Sequence, residues 1–170
     1  MVHADVVMWS TTRPLQWSDF QGAVPYQSPY GAAIKYEVRS TNSFPDWHHV
    51  VYEVTCVMVK GGSWVKPECR ADTALLNHER IHFDLAECSA RSLRSQLQHE
   101  RVSIKECNQR LQLLRDSINA SWLSIEGRYD LETTHGTVAK EQARWAKKIA
   151  HTLDSLAAYS EPRFVVELKP

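Results

Sequence analysis

His78 and His82, four residues apart with Glu79 beside the first, are the residues whose types and spacing can do chemistry in this chain. On a helix, two histidines at that spacing project from one face and can share a tetrahedral zinc ion. The adjacent glutamate can then act as general base toward a water molecule. At about 100° per residue the two histidines stand about 40° apart in projection, with Glu79 at the edge of the same face. Leu75, Ile81, Leu85, Ala86, Ser89 and Leu93 fall on or near that face, so the pair is expected to point inward. Arg80, Asp84, Glu87, Arg91 and Arg94 are expected on an opposite, solvated face, with Arg80–Asp84 and Glu87–Arg91 as i,i+4 ion pairs. The bland alternative is two core histidines satisfied by ordinary hydrogen bonds, since the pattern arises by accident in roughly 3% of chains of this composition. His99-Glu100 is only a half-match, because Ser103 stands where a second histidine would be, and it reads as a solvated helix end.

A catalytic zinc takes three protein ligands and keeps one position for water. Asp84 and Glu87 lie roughly 200° and 140° round the helix from His82 and point away from the ion. In the extended metzincin pattern a glycine and a third ligand follow the second histidine. Here Leu85 and Cys88 occupy those positions, so that pattern does not apply, although a thiolate from Cys88 is a possible ligand. The expected third ligand is His135, in a segment from Tyr129 to Gly136 that reads as a loop before a helix; Gly136 permits close backbone approach. Glu141, one turn into that helix, is the alternative, and His48, His49 and His151 are outside candidates. Tyr129 and Asp130 read as loop-shaping residues, with an oxyanion-donor role or support of a ligand histidine as the other possibility.

The elements that must position these residues are α+β. Ala32, Ile34, Tyr36 and Val38 alternate with more polar neighbours, and Val50, Tyr52, Val54, Cys56 and Met58 form a second alternating set. Gly61-Gly62 signals a turn, after which Ser63-Trp64-Val65 can return as a short strand. The motif helix is expected from near Asp72 or Thr73 to about His99. A second helix opens on a capping-box signature, Ser103 to Glu106, and carries the stripe Ile104, Cys107, Leu111, Leu114 and Ile118. A third follows Gly136, with Val138, Trp145, Ile149, Leu153 and Leu156 at helical spacing. Phe164-Val165-Val166 is a terminal strand or an extended tail. Residues 1–170 fit one domain, with 1–66 mainly strands and loops and 71–158 mainly helices, so that N-terminal strands pack on the motif helix and two further helices follow.

Of the 170 residues 43% are hydrophobic, enough for a packed core, and the formal net charge is zero, which leaves no electrostatic footprint for nucleic acid or an anionic membrane. No apolar run is long enough to cross a bilayer. The start, Met1 to Asp5, has no secretory character, which fits either a cytoplasmic protein or one whose leader has been removed. Cys56, Cys69, Cys88 and Cys107 contain no CxxC pair, so a cysteine-built zinc site is not expected. Buried free thiols and disulfides both remain open for them.

His78-Glu79-x-x-His82-Phe83-Asp84 with Glu87 and Ala90-Arg91, the segment Leu15-Gln16-Trp17-Ser18-Asp19-Phe20-Gln21-Gly22, then Ala32-Ala33, Ser63-Trp64-Val65 and Thr134-His135-Gly136 with Gln142 and Trp145 occur in that order. Together they resemble a bacterial family of zincin-like, zinc-dependent proteases of otherwise unknown function, over about residues 9 to 150. The resemblance implies a zincin-like domain that is periplasmic or secreted, its leader removed. Arg80 stands where members often carry glutamine and, as an outward residue, is expected to leave the metal undisturbed. Leu15, Trp17 and Phe20 are expected to pin the N-terminal segment onto the core.

The expected activity is therefore zinc-dependent hydrolysis of a peptide or protein substrate, with Zn²⁺ on His78, His82 and His135 and Glu79 as general base. A strand before the motif helix, Ser63–Val65 or Val50–Met58, would offer its edge to the substrate. The rival is a non-catalytic zincin-like domain with a structural metal site that binds a protein partner. A third reading is a metal-free core with fortuitous histidines.

Overall fold

The computed structural model describes residues 5–169; Met1–Ala4, most of the stretch read above for secretory character, and Pro170 lie outside the described residues. The order of elements is β1 (Val6–Met8), β2 (Ala32–Ala33), β3 (Tyr36–Ser43), β4 (His49–Val59), β5 (Trp64–Val65), α1 (Thr73–His99), α2 (Cys107–Thr133), α3 (Ala139–Ser155) and β6 (Arg163–Glu167), the expected α+β class. The alternation expected to begin at Ala32 is split into two strands. Ser63 accounts for the break, because its Oγ bridges the backbone of Lys35 and Val59 where the ladder would otherwise continue.

β4 is the spine of the main sheet. β3 pairs along one side of it, while β1 and β6 share the other, all antiparallel. Val50, Tyr52, Val54, Cys56 and Met58 are at most 2% exposed, the inward half of the expected alternation. They pack on Phe83, Ala86, Ala90, Leu93 and Leu97 of α1. Since β4 is paired on both sides, it has no edge to offer a substrate, and that expectation is corrected. β5 is paired with β2 on one side only.

α1 begins where expected. Asp72 caps it, its Oδ1 accepting from Leu75 N at 2.9 Å, an interaction worth about 1 kcal/mol. The expected outer face is not solvated, however. Glu87, Arg91 and Arg94 are 3%, 6% and 2% exposed, because the chain termini and the end of α3 wrap over that side. The Glu87 carboxylate accepts from both arginines at 2.9 Å. Arg91 also donates to Leu153 O, and Arg94 to Val54 O, Tyr159 O and Ser160 O. The Trp9 ring lies over the Arg91 guanidinium, and its Nε1 donates to Asp84 at 2.8 Å. Arg80 does not pair with Asp84; its Nε and Nη2 donate to Leu15 O at 2.9 and 2.7 Å. That clamp, with Leu15 and Phe20 each 2% exposed, pins the N-terminal segment as expected.

α2 starts at Cys107, after a turn in which the Glu106 carboxylate accepts from Ser103 N and Oγ. It then runs through residues 129–133, where the sequence pattern predicts a loop. α3 packs Trp145 and Ile149 against Ile81, Leu85, Cys88 and Tyr129, a second small core among the three helices. All four cysteines are free; three are buried and Cys69 is half-buried.

Candidate metal centre

α1 supplies the two histidines, and the last turns of α2 come to meet them. His78 is buried and His82 nearly so, and their Nε2 atoms stand 3.2 Å apart. Asp130 Oδ1 sits 3.2 Å from His78 Nε2 and 2.9 Å from His82 Nε2. His135 follows on the turn after α2, its Nδ1 3.6 Å from the same carboxylate oxygen and its side chain half exposed. His78, Asp130 and His135 can each turn a donor atom into a common space in which those atoms lie within 4.8 Å of one another.

His82 is outside that group of three, but its Nε2 reaches both His78 and Asp130, so two overlapping sets of three donors share His78 and Asp130. Ligands on a tetrahedral zinc with bonds near 2.0–2.1 Å are about 3.3 Å apart. The His78–His82–Asp130 triangle has that size already, and nitrogen and carboxylate oxygen are suitable donors for zinc, so these residues fit the ion. Glu141 does not join them; its carboxylate accepts from Arg144 at 2.6 Å on the flank of α3. Cys88 lies in the helical core instead of the cleft, and burial pushes its thiol up to about 12. His49 is held by Asp46 near the β3–β4 turn.

Packing fixes the histidines from behind. The Tyr129 ring stacks on His78 with centroids 4.8 Å apart, and its hydroxyl donates to His78 O. Gln142 donates to that hydroxyl at 2.7 Å and presents its Oε1 to His78 Nδ1 at 3.5 Å, which leaves Nε2 to face the cleft. Thr134, His135 and Gly136 all have positive φ, +47°, +50° and +84°. A side chain at Gly136 would meet His78 Cβ at 2.9 Å and Cγ at 3.0 Å, so the turn presses on the imidazole as only glycine allows.

Glu79 is 4% exposed, and its Oε2 accepts from Ile34 N at 2.9 Å. Burial raises its pKa, offset in part by the two histidines. Burial lowers the pKa of His82, but Asp130 outweighs that and the net shift is upward. Burial also works against ionised Asp130, yet hydrogen bonds and charge from His78 and His82 carry its pKa well below the ordinary carboxylate range. These groups line one cleft of about 1200 Å³, walled by Tyr30–Ile34 and Tyr36 on one side and by Gly136, Gln142 and Ala143 on the other. Tyr30 reaches across to His135, ring centroids 4.9 Å apart.

Sequence reasoning brought His78, Glu79, His82 and His135 to one site, and the structure brings them together. It undervalues Asp130, because residues 129–133 are expected as loop and the structure places them on the last turns of α2. The signal was present: no glycine or proline occurs between Arg128 and His135, and Ile118, Trp122, Ile125 and Tyr129 keep helical spacing. Glu126, which accepts from the Tyr36 hydroxyl one turn before Asp130, was missed for the same reason. No protein-family model, curated protein or solved structure matches the chain.

Proposed function

We propose that the chain is a zinc-dependent hydrolase, most simply a peptidase, with the ion held by His78, His82 and Asp130 and with His135 at the exposed side of the centre. The observation that carries this reading is the triangle of donor atoms with edges of 3.2, 3.2 and 2.9 Å, opening into a cleft that also holds the buried carboxylate of Glu79. When bound, zinc supplies Lewis acidity and makes water nucleophilic near neutral pH. Glu79, its Oε2 tied to Ile34 N, keeps Oε1 to take a proton from the attacking water and pass it to the leaving amine.

β2 supports a peptide as substrate. Lys66 N donates to Gly31 O, so Gly31 and Ala33 face β5 while the amide groups of Ala32 face away from it, as does the Ile34 N–H that meets Glu79. An extended chain can therefore pair with Ala32 beside the base.

A second reading is favoured by His135, whose Nδ1 lies 3.6 Å from Asp130 Oδ1. If His135 also binds the ion, no position is left for water and the centre is structural, in a domain that binds a protein partner. Elemental analysis of tag-free protein, with zinc affinity and peptide hydrolysis, separates the two. The hydrolase reading expects about one zinc per chain, lost in Asp130→Ala and kept in His135→Ala, with Glu79→Gln keeping zinc and losing hydrolysis. Loss of zinc in both ligand variants, with no hydrolysis by wild type, would establish the closed site. No zinc after supplementation would remove both.

A further inference from the structure

Antiparallel strands alternate residues whose amides face the paired neighbour with residues whose amides face away. In β3 the phase is set by Val59 N, which donates to Lys35 O at 2.8 Å. In the register Tyr36↔Met58, this makes Glu37 opposite Val57 and Arg39 opposite Thr55 hydrogen-bonded pairs. The N–H and C=O groups of Tyr36, Val38, Ser40 and Asn42 therefore point off the sheet. None of them bonds to another element among the described residues. Ser40 Oγ, on the same strand, is the one buried side-chain polar atom without a partner among those residues. Open edges of this length are normally paired, covered or charged.

We propose that this edge is the pairing surface for a second copy of the chain, β3 to β3, across a two-fold axis at Val38. Charge selects the register. A two-fold at residue 37 or 39 would set Glu37 against Glu37 or Arg39 against Arg39. At Val38 it sets Glu37 opposite Arg39 twice, on the outer face where these side chains already pair within each chain at 2.8 Å. Val38 then exchanges backbone bonds with its own counterpart, and Tyr36 with Ser40 of the second copy. Because Tyr36 lines the cleft, the second copy borders the cleft mouth. Pairing of single strands buries little surface, so the dimer forms with a Kd on the order of 10 µM. Nothing in this surface depends on the metal.

Sedimentation equilibrium of the purified chain over ~1–300 µM, a range set by that Kd, tests the proposal. Wild type is expected to pass from monomer to dimer. Val38→Pro removes an outward N–H and no β3–β4 bond, and should leave a folded monomer by circular dichroism. Glu37→Arg and Arg39→Glu should each raise the dimer Kd about tenfold, and the double reversal should restore it. The restoration decides the register even if the proline variant fails to fold. A wild type that stays monomeric at the highest concentration overturns the proposal, and so does a dimer indifferent to both charge reversals. Single reversals that weaken the dimer without rescue by the double overturn the Val38 axis.

Discussion

Gly136→Ala concentrates the reasoning about the metal centre in one methyl group. The added carbon would sit 2.9 Å from His78 Cβ and 3.0 Å from Cγ, and the backbone there has φ +84°. The left-handed conformation alone costs a non-glycine residue about 1–2 kcal/mol. The contact must then be relieved by moving either the turn or the imidazole by several tenths of an ångström. At about 2–4 °C per kcal/mol for a chain of this size, the metal-free protein should melt about 2–8 °C lower. Either movement also pulls His78 Nε2 or the neighbouring Asp130 out of the 3.2 Å triangle, so zinc affinity should fall about 10–100-fold, as when support behind a ligand is lost. Melting of the metal-free protein and competition against a chromophoric chelator read the two effects separately. Gly127→Ala is the matched control: it lies inside α2 with nothing within 4 Å of the new carbon, and should gain about 0.5–1 kcal/mol while zinc affinity stays put. Unchanged zinc affinity in Gly136→Ala would show that the turn does not position His78.

Arg94→Met should destabilise the protein by about 3–5 kcal/mol, because Arg94 is 2% exposed and its loss leaves Glu87 buried beside Arg91 alone. Urea unfolding measures this, and a change below about 1 kcal/mol would mean the Glu87 network is dispensable. Burial raises the pKa of Glu126 above its ordinary value of 4.5, the Tyr36 hydrogen bond notwithstanding, so the fold holds the proton more tightly than the unfolded chain does. Stability from that proton is complete below the unfolded value and is lost as pH rises through the folded one. Glu126→Gln should therefore melt higher than wild type at neutral pH and equal to it near pH 4; a gain at pH 4 as well would contradict this origin. Burial also pushes up the thiols of Cys56, Cys88 and Cys107, so a thiol reagent on native protein at mildly alkaline pH should modify half-buried Cys69 first. Equal rates for all four would contradict the buried positions.

What the sequence made legible was local and periodic. Asp72 at the head of α1, the inward pairing of His78 with His82, and the alternation along β4 each follow from one element read by itself. The misread features depend on elements distant in sequence. Glu87, Arg91 and Arg94 have the composition of a solvated face, and only the return of Trp9, Leu153 and Tyr159 over that side makes it interior. The role of β4 as a spine paired on both sides required β1 and β6, from opposite ends of the chain. Asp130 was hidden by an early end assigned to α2, and the donor triangle could not be drawn without it.

The proximity of Glu79 to Ala32 carries a consequence beyond the proposed proton transfer. The Ile34 amide that holds the carboxylate lies just past the end of β2, two residues from the open amide groups of Ala32. β2 is only two residues long and is paired on one side, so by itself it is a lightly restrained segment. A chain that pairs with Ala32 restrains it from the second side and, with it, the carboxylate two residues on. On the proposed hydrolase reading, occupying the edge would withdraw motional freedom from Glu79 before any bond is made or broken, and would couple ordering of the carboxylate to docking.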